Sequence, residues 1–182
     1  MAQHKGHFLV LGITGTGKGA LVSGVADRYR AQGVPVFLLT KKKDEYQSFP
    51  ADCKTLSAER LMENLAKFHG KSGAMVVVDE AWAWKWKGLL EEIPNAGRSK
   101  GFEMWVQGQR AYQMPPTVRN NCQNVFAFRQ NPDDREWLVK NYGPEFDGVD
   151  RLEPGEYIYK AGMAPAVRGR SFVMNGGVFR RA

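Results

Sequence analysis

The chain has 182 residues, 43% of them hydrophobic and 25% charged, with five tryptophans. A length of this order fits one domain with a real core, and the composition excludes a disordered or low-complexity chain. Lys and Arg number 26 against 19 Asp and Glu, a formal net charge of +7, which makes nucleic acid a natural class of partner without naming one.

The amino-terminal stretch MAQHKGHFLVLGITG carries only a short apolar run before its glycines, too short for a signal peptide or for a span of roughly 18 apolar residues. No later window is long enough either, so a soluble, intracellular protein is expected. His7 to Leu11 reads as a buried strand that feeds the glycine loop Gly12-Ile13-Thr14-Gly15-Thr16-Gly17-Lys18-Gly19. From Lys18 to about Gln32 the pattern is helical, with Leu21, Val22, Val25, Ala26 and Tyr29 on one face and Gly33 as its stop.

A strand, a glycine loop and a helix form the context in which G-x-x-x-x-G-K-[ST] binds phosphate. Gly12, Gly15 and Gly17 let backbone N–H groups curl round an anion, with Thr14, Thr16, Gly19 and Ala20 completing the cradle at a helix N-terminus. Lys18 then reaches the β/γ phosphates of ATP. Gly19 departs from the pattern, because it lacks the hydroxyl that normally ligates Mg2+; a water can fill that position. A turn that only joins strand to helix is the plain alternative, and the added Lys18 speaks against it.

Val34 to Leu39 is a second strand, followed by Lys41-Lys42-Lys43, a basic turn suited either to DNA phosphates or simply to solvent. Ser57 caps a helix over Ala58 to Phe68. The two cysteines, Cys53 and Cys122, fall in no C-x-x-C, so neither a disulfide framework nor a zinc site is expected.

Ala74 to Val78 is a third strand and ends in Asp79-Glu80, the form of a Walker B motif. Parallel strands present their carboxyl ends on one edge, so Asp79 can hold the Mg2+ hydration shell while Glu80 deprotonates an attacking water. In the run Trp82 to Lys87, Lys85 and Lys87 are candidate nucleic-acid contacts and the tryptophans read as packing. Phe102 to Val106 and Val125 to Phe128 are further strands, and Pro132 opens a helix to about Tyr142. Tyr157 to Tyr159 and Val167 to Val173 close the chain as short strands. Strands alternating with helices predict a mostly parallel α/β sheet with helices on both faces and right-handed crossovers.

The segment Gly97-Arg98-Ser99-Lys100-Gly101, the strand after it, and Gln107-Gly108-Gln109-Arg110 resemble the corresponding segment of FtsK and HerA family translocases. Pro116-Thr117-Val118-Arg119-Asn120, Phe126-Ala127-Phe128 and Asp134-Arg135 extend the resemblance over roughly Phe8 to Leu138. It implies a RecA-like (ASCE) P-loop NTPase core over about 7–142 with a strand-and-tail extension over 143–182, all one domain. It implies further that Gln109 senses the γ-phosphate and that Arg98 acts as a finger across a subunit interface. Arg110, Arg119 and Arg135 compete for that role, and Gln107 competes with Gln109.

A bare core of this size most resembles the genome-packaging ATPases of tailless icosahedral viruses. The implied protein is a homo-oligomeric ring, a hexamer, that uses ATP and Mg2+ to drive double-stranded DNA into a preformed capsid without sequence preference. Its partners would be capsid or membrane vertex proteins, at the packaging vertex or in the host cytoplasm. A small nucleotide kinase, whose loop also reads G-K-G, is the alternative. A filamentous-phage assembly ATPase and a non-catalytic DNA-binding scaffold stand behind it.

Overall fold

A computed structural model describes residues 6–42, 44, 46–68, 73–97, 99–175 and 178–181. Strands β1 (Phe8–Leu11), β2 (Val36–Leu39), β4 (Ala74–Val78), β5 (Phe102–Gly108) and β6 (Asn124–Phe128) are buried at every position. Of these, β1, β2 and β4 read as continuous apolar runs because both faces of the sheet are covered. Successive residues of β1 serve opposite sides: Leu9 and Leu11 join one core cluster, Phe8 and Val10 the other, as a two-residue period requires.

The main sheet has eight strands in the order β3-β2-β4-β5-β1-β6-β7-β8, where β3 is Cys53–Thr55, β7 Glu156–Ala161 and β8 Val167–Arg170. Pairing is parallel from β3 through β6, and β7 and β8 continue it antiparallel. Helices α1 (Lys18–Ala31), α2 (Ala58–Lys67), α3 (Glu92–Ala96) and α4 (Pro116–Asn121) lie between successive parallel strands, and α5 (Pro132–Tyr142) leads from β6 toward the antiparallel β7. Ser57 caps α2, its hydroxyl accepting from Arg60 N–H at 3.2 Å.

On one face, aromatic rings run across four neighbouring strands. Trp105 of β5 stacks on Phe8 of β1 at 4.0 Å between centroids, Trp105 lies 5.8 Å from Phe126 of β6, and Phe126 stacks on Tyr159 of β7 at 4.3 Å. Such pairs contribute about 0.5–1.5 kcal/mol each beyond their area.

The structure departs from the sequence reading in detail. Strand β5 runs on to Gly108, and the short β3, α3 and α4 were not expected. The single strand expected over Val167 to Val173 breaks at Ser171 into β8 and β9 (Phe172–Asn175), the latter pairing with β10 (Val178–Arg181) in a separate sheet. After α5 the chain returns to the glycine loop: Gly155 N–H donates to Thr16 O at 2.9 Å, and Ser171 N–H donates to Gly155 O at 2.8 Å.

Candidate nucleotide site

The glycine loop occupies the carboxyl end of β1, and its shape follows from its glycines. A Cβ on Gly12 would lie 2.7 Å from Phe128 Cβ and from Thr16 Oγ1, so no larger residue fits. Gly15 and Gly17 have φ of 79° and 107°, the left-handed region where L side chains are strained. The buried Thr16 hydroxyl donates to Ile13 O at 2.8 Å and fixes the turn. No side chain caps α1 at this end and no acid sits in its first turn, which leaves the dipole end uncompensated. Lys18 Nζ lies across the loop, donating to Gly12 O at 2.6 Å and Ile13 O at 3.0 Å. Burial pulls its pKa down to about 8; Asp79 and Glu80 oppose that shift and Lys42 adds to it.

The facing wall comes from β4 and β5. Asp79, at the end of β4, is 7% exposed. Burial raises its pKa above the usual carboxylate value, against hydrogen bonds from Tyr46 and from Thr40, whose hydroxyl donates to Oδ2 at 3.1 Å. Glu80 has φ 47°, and among the described residues no other non-glycine has positive φ. Such a conformation costs of order 1–3 kcal/mol and concentrates at functional sites. The turn is pinned by Trp84 Nε1–H donating to Asp79 O at 2.8 Å and by Ala83 N–H donating to Glu80 O at 2.8 Å.

Strand β5 lies between β1 and β4, so its carboxyl end delivers polar groups between Lys18 and Asp79. Gln107 is buried, and its Nε2 donates to Tyr46 Oη at 3.4 Å. Gln109 borders the cleft as well, with its backbone carbonyl accepting from the Gln130 amide at 3.1 Å. The orientation that allows this also lets Gln130 accept from Gly12 N–H at 2.8 Å. Lys18, Lys42, Asp79, Glu80, Gln107 and Gln109 thus border one cleft of about 600 Å³, within the range of ligand pockets.

The donors suit Mg2+. Asp79 offers a hard carboxylate oxygen beside the cleft, and a Cβ on Gly19 would meet nothing within 4 Å, leaving room for a metal's own water. Among the described residues no three His, Cys, Asp or Glu cluster as a metal cage. Mg2+ needs none, since one or two carboxylates with phosphate oxygens and waters suffice.

The remaining residues singled out in the sequence divide. Lys42, read as a DNA contact, instead reaches into the cleft, with Nζ 2.9 Å from Glu80 Oε1; the turn that carries it lies beside β4, so the acid there captures it. Lys41 is exposed and sits over the Trp84 ring at 5.0 Å. Lys85 and Lys87 are exposed. Trp86 is buried and donates to Ala81 O at 2.7 Å, whereas Trp82 is 51% exposed. Lys43 and Arg98 lie outside the described residues.

Of the other arginines, Arg110 lies over the Tyr112 ring with Nε 3.8 Å from buried Asp134. Arg119 lies over Trp137 at 5.2 Å, and Arg135 pairs with Asp150 at 3.4 Å. Sequence reasoning missed Thr40, Tyr46 and Gln130. Thr40 alone left a signal, as the residue closing the strand beside β4.

No family model and no curated protein matches the sequence. Solved structures do. B204, the DNA-packaging ATPase from Sulfolobus turreted icosahedral virus, superposes with a TM-score of 0.76 at 17% identity, covering 91% of this chain and 97% of that one. The genome-packaging NTPase B204 from Sulfolobus turreted icosahedral virus 2, solved with AMPPCP, gives 0.77 at 17% identity, over 92% and 98%. The pCW3 conjugation coupling protein TcpA, solved with ATPgS, gives 0.71 at 19% identity, over 91% of this chain but 60% of that one. The chain has their fold. The expected architecture, a mostly parallel RecA-like α/β core, is the one observed. No helix among the described residues is long and apolar enough to cross a membrane.

Proposed function

We propose that this chain is a P-loop ATPase that moves DNA, working as a ring of identical copies to pack a viral genome into a preformed capsid. One observation carries the reading: Lys18, Asp79, Glu80 and Gln107, drawn from three strand ends, border a single cleft. That structures of like fold include a DNA-packaging ATPase and a conjugation coupling protein supports it.

In this reading the polyphosphate of ATP lies in the glycine loop, and Lys18 leaves the Gly12 and Ile13 carbonyls to neutralise β/γ oxygens. Mg2+, when bound beside Asp79, spreads the charge that develops on those oxygens. Glu80 must part from Lys42 before it can accept the proton of the attacking water; ATP and water then give ADP and phosphate. Gln107 is the better placed γ-phosphate sensor, because Tyr46 ties it to the Asp79 side of the cleft. Arg98 of a neighbouring copy is the finger the resemblance implies, which makes a closed ring, a hexamer in that family, a condition of full activity. The single-domain reading of 1–182 gains support from β7, which extends the sheet of the core.

The test is ATP turnover with and without double-stranded DNA, with particle mass measured by light scattering on the same sample. DNA-stimulated hydrolysis in a ring-sized particle is expected. Glu80→Gln should bind nucleotide normally while turnover falls by about 10² or more. A monomer that transfers phosphate to AMP would establish a nucleotide kinase instead.

A further inference from the structure

The glycine at position 19 is not there for steric reasons. A Cβ would enter open space, and the residue is not among the glycines with positive φ. The loop therefore does without an oxygen that its fold could carry, and the facing wall supplies one from an unexpected place.

Tyr46 stands in the segment between β2 and β3. Its hydroxyl hydrogen-bonds to the Asp79 carboxylate and accepts from Gln107 Nε2 at 3.4 Å. The ring is braced edge-to-face by the buried Phe49, with centroids 5.6 Å apart, and Phe49 N–H donates to Tyr46 O at 3.1 Å. Both aromatic residues border the nucleotide cleft. Packing alone asks for nothing more than a phenylalanine ring at position 46. The added oxygen meets the two groups assigned above to the metal and to the γ-phosphate.

We propose that Tyr46 compensates for the metal ligand missing at Gly19 by positioning another: with Thr40 it fixes the Asp79 carboxylate toward the hydration shell of Mg2+. Tyr46 is a positioning residue that acts through Asp79. The inference rests on the nucleotide reading above, and its test separates the two.

The affinity of AMPPCP is measured by calorimetry across a Mg2+ titration and again in EDTA, for the wild type, Tyr46→Phe, and Tyr46→Phe combined with Gly19→Ser. Loss of a partner that orients a metal ligand typically weakens metal affinity by about tenfold or more. Tyr46→Phe is therefore expected to raise the half-saturating Mg2+ concentration by about that factor while leaving affinity in EDTA unchanged. Gly19→Ser, which returns a hydroxyl to the loop, is expected to restore the wild-type Mg2+ requirement. An unchanged Mg2+ requirement in Tyr46→Phe overturns the proposal. So does an equal loss of affinity with and without Mg2+, which would mean simple packing, or a Mg2+-specific loss that Gly19→Ser fails to repair. A wild type that binds no AMPPCP at any Mg2+ concentration overturns the ATPase reading itself.

Discussion

Lys18 couples the loop to pH. Its pKa is about 8 because burial disfavours the charged form, whereas a polyphosphate alongside favours that form. The pKa of the nucleotide complex thus lies above that of the free protein. Affinity should be full below about 8 and fall as pH rises through that value toward the higher pKa of the complex. Calorimetry near pH 8 in buffers of different ionisation enthalpy should register net proton uptake on AMPPCP binding; proton release would contradict the assignment. Lys42 offers a second measurement. A lysine that only touched DNA would leave DNA-free turnover alone, but one 2.9 Å from Glu80 should not. Lys42→Ala is expected to change the DNA-independent steady-state ATPase rate at least severalfold, since it would release Glu80, the proposed general base. The contrast between these lysines shows what the sequence could convey. Lys18, Asp79 and Glu80 were legible because each follows a buried strand at motif spacing. A run of three lysines looks the same whether it faces solvent or turns inward, and that choice is made by the neighbouring strand. Tyr46 was not legible at all, for it lies in a segment with no periodic pattern.

At the level of elements, the decisive arrangement is β5 inserted between the strand that ends in the loop and the strand that ends in the acids. Alternation of strands and helices announced a parallel sheet, and fully apolar runs such as Ala74–Val78 announced its buried centre. The order of strands was beyond reach of local pattern, and with it the position of Gln107. Three-residue β3 and five-residue α3 were missed because pieces so short complete barely one period. The close contact of the loop with β6 yields a stability prediction. Gly12→Ala places a methyl 2.7 Å from Phe128 Cβ and Thr16 Oγ1, an overpacking that should cost about 1–3 kcal/mol. Gly19→Ala enters open space inside α1 and should stabilise by about 0.5–1 kcal/mol through the lower entropy of the unfolded chain. Urea unfolding of both variants checks the pair, and equal destabilisation would contradict the geometry.

For the whole molecule, the proposed function raises the question of where DNA would run relative to the nucleotide. Lys41, Lys85, Lys87 and the exposed Trp82 follow β2 and β4 at the carboxyl edge, the edge that also holds the cleft. Phosphate contact there predicts that DNA affinity falls with salt and that replacing Lys85 or Lys87 by Ala lowers the log–log salt slope by about one, with little sequence dependence. Fluorescence anisotropy on two unrelated duplexes measures both quantities; an unchanged slope would remove these lysines from the path. Charge composition had suggested nucleic acid, but only the fold distinguishes lysines that share an edge with the cleft from the lysine that enters it. The peptide N–H of Gly155, lodged under Thr16, has a practical consequence for anyone shortening the protein. A version trimmed ahead of that residue would keep every motif of the ATPase core and yet lose a peg beneath its own phosphate cradle, so altered nucleotide binding in such a truncation should not be blamed on the missing tail's charge.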